Sequence, residues 1–100
     1  MNIIIPLHSN DLKSSQISKL SDSKAWALCR LKNGTTENIT TFSDYKDIKE
    51  TIDYLIIKDQ NEDVEEFLDE GIDILVASFQ KEIEDILEAF IFRELFDYNG

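Results

Sequence analysis

Glycine is scarce in this chain. There are three in 100 residues, with one proline and one cysteine. Gly34, Gly71 and Gly100 stand far apart, so neither a G-x-G-x-x-G nor a Walker A loop exists, and those are the loops that let backbone N–H groups approach a phosphate. Nucleotide binding is therefore not expected. A lone cysteine, Cys29, excludes an internal disulfide and suits a reducing compartment, so a cytoplasmic location is expected. No apolar run approaches the ~20 residues that cross a bilayer. The opening MNIIIPL lacks the basic n-region of a signal peptide and reads as a strand. Basic residues are also few: 10 Lys and Arg against 21 Asp and Glu, a net charge of −11. Nucleic acids and anionic membranes are held by Lys and Arg patches. Neither is an expected partner, whereas a basic or metal-bearing one is electrostatically easier.

What is present is a hydrophobic content of 42%, enough for a folded chain, and at this length residues 1–100 form a single domain with one modest core. The short run IIIPL reads as a strand buried on both faces, with Pro6 near its end. Residues 8–24, HSNDLKSSQISKLSDSK, form a polar, serine-rich connection anchored only by Leu12, Ile17 and Leu20. Connections this long in small domains are often functional. Next, AWALCRLK and TTENITTF flank Asn33-Gly34, the pair that a type I′ hairpin turn requires. Cys29 falls on a sheet face as a small apolar group.

Ser43 or Asp44 is placed to cap a short helix with Tyr45, Ile48 and Ile52 on one face. YLII and IDILVAS are further buried strands. Between them, Asp59-x-x-Glu62 has the form of a capping box, Val64, Phe67 and Leu68 form a stripe, and Gly71 ends the helix. A last helix, capped by Ser78, carries Ile83, Ile86, Leu87, Phe90, Ile91 and Leu95 on its inner stripe. Phe92 and Phe96 lie beside that stripe, four apart. They are the candidate interaction residues, for a protein partner or a homodimer. Alternating strands and helices imply a layered α/β sheet, made mixed by one antiparallel hairpin strand.

Eight carboxylates and no basic residue lie between Asp59 and Asp73. Three of them, Asp59, Glu62 and Asp63, could offer oxygens to a hard metal. Helix physics is the preferred account of them: acids at a helix start oppose its dipole, and Glu65, Glu66, Asp69 and Glu70 fall on a solvated face. Either way this edge repels anions. His8 follows the first strand, where α/β sheets place ligand sites, and is the candidate cofactor contact. No nucleophile elbow surrounds the serines, and the first strand lacks the carboxylate of a metal-dependent nuclease. No catalytic residue is assigned and an enzyme is not expected.

The stretches MNIIIP, AWALCRLKNG, YLII, EEFLDEGIDILVA and IEDILEAFIF, with the polar loop between the first two, span nearly the whole chain. In this order they resemble the small dinitrogenase iron-molybdenum cofactor biosynthesis proteins, carriers and accessory domains of the nitrogenase cofactor pathway. The resemblance implies a ribonuclease H-like three-layer α/β/α fold. It also implies that relatives bind iron-molybdenum cofactor or an iron-sulfur precursor. The sequence departs from the family at both cofactor-contacting segments. A His-Phe-Gly-Arg type segment in the polar loop corresponds here to KLSDS, Lys19 to Ser23, and a glycine-rich turn after the middle strand corresponds to KDQNED. The expectation is thus a non-enzymatic accessory or interaction domain with no cofactor of its own. The alternative is a metallocluster or metal carrier using His8 and the serine-rich loop.

Overall fold

The computed structural model describes residues 1–99. Asn33 and Gly34 both take positive φ, 55° and 75°, and turn β2 (Ala25–Lys32) into β3 (Thr35–Phe42). The hairpin packs its first strand antiparallel against β1 (Asn2–Leu7), with Ile4 opposite Leu28. On its other side β1 runs parallel to β4 (Tyr54–Ile57), which runs parallel to β5 (Asp73–Val76). A two-residue strand, β6 (Phe96–Asp97), closes the sheet antiparallel to β5, giving the order β3-β2-β1-β4-β5-β6.

The strand periodicity of two sorts the core into two faces. Ile3, Ile5, Leu7, Ala27, Cys29 and Ile56 share one face with Ile83, Ile86 and Leu87 of α2 (Ile83–Ile91). Ile4, Trp26, Leu28, Leu55, Ile57 and Val76 share the other with Val64 and with Phe67 of α1 (Glu65–Asp69). β1 reads IIIPL without alternation because a helix covers each of its faces.

Four local expectations change. Residues 43–52 make only a 3-10 turn, Tyr45–Asp47, because the Asp44 side chain accepts the Lys46 N–H and Ile48 is already extended. Tyr45, Ile48 and Ile52 still pack on the α1 face, so the apolar spacing marked burial and not helix. α1 begins three residues after Glu62, and Leu68 points outward at 47% exposure. α2 has Glu82 and not Ser78 at its N-cap, and it stops at Ile91, so Leu95 and Phe96 are not on it. Arg93 takes φ 59°, its N–H reaches the Phe90 carbonyl (3.1 Å), and the Glu94 N–H reaches that of Ala89 (2.7 Å). That is a Schellman stop without glycine. The freed segment returns as β6, so the sheet carries two antiparallel strands, β2 and β6, where one was expected.

Candidate functional site at the carboxyl edge of the parallel strands

From β1 the chain leaves for β2 on one side, while β4 lies on the other. The carboxyl ends of β1 and β4 therefore flank a topological switch point, where open α/β sheets commonly hold ligands. His8 stands there, exposed, and its backbone N–H reaches the Gln16 carbonyl (3.4 Å). Its side chain makes no hydrogen bond among the described residues.

The serine-rich connection is folded back over this edge as a strap. Ser18 N–H donates to the Pro6 carbonyl (2.9 Å) and Lys24 N–H to that of Leu7 (2.8 Å), which ties the middle and the far end of the strap to β1. Ile17, fully buried, donates its N–H to the Lys81 carbonyl (2.9 Å), and the Gln16 side-chain amide donates to Glu82 Oε1 (2.8 Å). Ser15 and Ser18 are buried and satisfied: Ser15 Oγ accepts from Ser9 N–H (3.2 Å), and Ser18 Oγ donates to the Lys19 carbonyl (3.0 Å). Its serines serve the strap's own folding.

The crossover after β4 closes the edge from the other side. Glu62 Oε2 accepts the N–H groups of Lys58 (3.0 Å) and Asp59 (2.9 Å), and Oε1 accepts that of Leu20 in the strap (2.6 Å). The reach back from Glu62 to Asp59 is the one the capping box predicts. Its grip on Leu20, 42 residues away, has no local signature in the sequence. Asp59 Oδ1 accepts from Asn61 N–H (2.9 Å) and Asp63 Oδ1 from Glu65 N–H (3.2 Å), each shaping its own turn. Three backbone N–H groups converge here as they would on a bound anion, and the chain's own carboxylate fills the position.

The carboxylates Asp59, Glu62 and Asp63 are not brought to one point, and no group of three His, Cys, Asp or Glu able to hold a metal occurs among the described residues. Cys29 is buried, and burial pushes its thiol up to about 12, so it stays protonated and is a poor ligand. A cleft of about 1150 Å³ lies away from the switch point, lined by Met1, Lys32, Tyr54, Asp73, Phe90 and Arg93 among others.

Beyond β5 the same edge is open. Phe79, 78% exposed, meets Phe96, 48% exposed, edge to face with ring centres 5.9 Å apart. Phe92, 68% exposed, sits at the C-cap of α2, on a different element from Phe96, so the two do not form the single helical arc expected. Phe79 was not singled out from the sequence. Its only signal is an aromatic residue within a polar stretch, SFQK, after a buried strand. Beside this pair the Gln60 side chain donates to the Asp97 carbonyl (2.7 Å) and accepts from Asn99 N–H (3.0 Å). Those are the two groups that a neighbouring strand would engage.

Among solved structures, the protein PH0822 matches over 99% of this chain and 98% of its own, with a TM-score of 0.78 and 19% identity. A Methanocaldococcus jannaschii protein described as a "putative dinitrogenase" matches over 100% and 96%, at 0.77 and 18%. A Thermotoga protein described as a "putative NifB protein" matches over 99% and 94%, at 0.67 and 17%. At such identities the likeness establishes the α/β fold, end to end. The two nitrogenase-related descriptions agree with the resemblance read from the sequence. No protein-family model matches the chain, and no curated protein matches it significantly.

Proposed function

We propose that this chain is a non-enzymatic accessory domain of the dinitrogenase iron-molybdenum cofactor biosynthesis type, with a ribonuclease H-like sheet, working in the cytoplasm through a protein partner. The observation that carries the reading is Glu62. At the switch point of a carrier, converging N–H groups would be free to meet an anionic cluster, whereas here they hold the chain's own carboxylate. The strap over the same edge is tied to β1 at its middle and its far end. The exposed aromatic residues Phe92 and Phe96 supply contact surface away from the closed edge.

The alternative is a metallocluster or metal carrier, and one observation favours it: His8 is exposed at the switch point. Anaerobic reconstitution with ferrous iron and sulfide, read by absorption and by metal analysis, separates the two. The accessory reading expects no stoichiometric uptake. Saturable uptake of about one cluster per chain, lost in His8→Ala, would establish the carrier instead.

A further inference from the structure

We infer that the Phe79–Phe96 pair docks a cationic, apolar segment of a partner protein. This rests on the accessory reading and specifies its partner. Both rings are solvent-exposed, and they support each other edge to face, which preorganises an aromatic platform. Its surroundings are acidic. Glu94, two residues before Phe96, is exposed, Glu82 lies three residues beyond Phe79, and Asp97, also exposed, follows Phe96 on the opposite face of β6. Gln60 binds the backbone of Asp97 and Asn99, so the acidic crossover carrying Asp59 borders the pair as well. Lys58, Lys81 and Arg93 are the cations nearest to these residues in the chain, against the carboxylates Asp59, Glu82, Glu94 and Asp97, and the whole molecule carries a net charge of −11.

Charge selects the occupant. A second copy of this chain would bring a net charge of −11 against −11 and set one acidic rim on another. A segment with Lys or Arg flanking Leu, Ile or aromatic side chains places its apolar groups on the rings and its cations over the rim. Cations over exposed aromatic faces add a further attraction. The sheet ends at β6 among the described residues, so nothing described beyond it covers the platform.

The test uses a fluorescent peptide of alternating Lys and Leu, with Lys–Ser and Glu–Leu peptides as controls, measured by anisotropy on the whole chain. Lys–Leu should bind about tenfold or more tightly than either control and weaken as salt is raised. Phe79→Ser should weaken it about tenfold with an unchanged melting temperature, because that ring is mostly in water. Glu94→Gln with Asp97→Asn should weaken it without touching the rings. Equal binding of Lys–Leu and Lys–Ser, or full binding by folded Phe79→Ser, would overturn the inference. So would concentration-dependent dimerisation of the wild type that Phe79→Ser abolishes, since the occupant would then be a second copy. Cluster uptake is read separately, so failure of the peptide to bind leaves the accessory reading to be decided by reconstitution.

Discussion

The carboxyl edge of this sheet has two halves that solve the same problem differently. Over β1 and β4 the chain supplies its own partners: Glu62 gathers N–H groups from Lys58, Asp59 and Leu20, and Ile17 is buried beneath α2, with His8 left exposed. Over β5 and β6 the edge ends in two exposed rings and a two-residue strand. The closed half is held by polar contacts, local to Lys58 and Asp59 and long-range to Leu20, in which the Glu62 carboxylate occupies the converging N–H groups. The open half is held lightly and offers apolar surface. The open half is where apolar surface remains exposed, and it is the half the proposed function draws on.

The comparison breaks if substitutions in the two halves have the same effect. The largest change sets the scale. Leu87, nearly fully buried against the sheet, should cost about 2–5 kcal/mol as Leu87→Ala, with Glu88→Ala within roughly 0.5 kcal/mol of wild type in denaturant melts. Equal midpoints would mean that α2 presents a different face to the sheet. Next is the closed half itself. Glu62→Ala strands three N–H donors and should cost roughly 2–3 kcal/mol, with peptide binding at the open half unchanged. A Glu62→Ala protein as stable as wild type would remove the distinction between the halves.

Cys29 gives a smaller effect, confined to alkaline pH. Its ordinary value is 9.0, and burial raises it to about 12 in the fold. Above pH 9 the unfolded chain loses the proton first. The stabilisation is therefore complete below that pH and is lost as pH rises toward 12, by roughly 1.4 kcal/mol per unit. Other groups titrate there too, so the measurement is the difference in slope between wild type and Cys29→Ala in urea melts at pH 8 to about 10. Parallel slopes would show that Cys29 is not desolvated. Smallest are the helix ends that lead into β5 and β6, the strands of the open half. α1 stops at Gly71, φ 78°, and α2 at Arg93, φ 59°. Gly71→Ala should destabilise by about 1–2 kcal/mol and Arg93→Gly stabilise by a smaller amount, about 0.4–1 kcal/mol, read as opposite shifts in melting temperature. Shifts of the same sign would contradict the matched stops.

Those two stops also show how much of the fold was legible. Gly71 announces its turn in the sequence. Arg93 adopts the same conformation with no residue signal, so α2 reads one turn too long, β6 is lost and Phe96 is misplaced onto a helix. Asn33-Gly34, the continuous apolar strands and the stripe Ile83–Ile86–Leu87 are local patterns, and all three carry through. Tyr45, Ile48 and Ile52 have helical spacing yet lie in a single 3-10 turn and the chain after it, because Asp44 closes that turn at once and burial on the sheet does the rest. At the candidate site the Glu62–Asp59 contact follows from capping chemistry. The Glu62–Leu20 and Gln16–Glu82 contacts, 42 and 66 residues apart, depend on the strap's path and have no local pattern. His8 lies where the strand pattern places it, at the switch point. Phe79 acquires significance only through the position of Phe96.

Closure of the first half by the chain alone is the claim on which the rest depends, and native-state amide hydrogen exchange without any added ligand tests it most directly. The N–H groups of Leu20, Lys58 and Asp59 should be protected to a degree approaching the strands, and Glu62→Ala should abolish that protection while Ile4 and Leu55 in the central strands stay protected. Rapid exchange at Leu20, Lys58 and Asp59 in the wild type, at the rate of exposed loops, would show the switch point open and contradict the account.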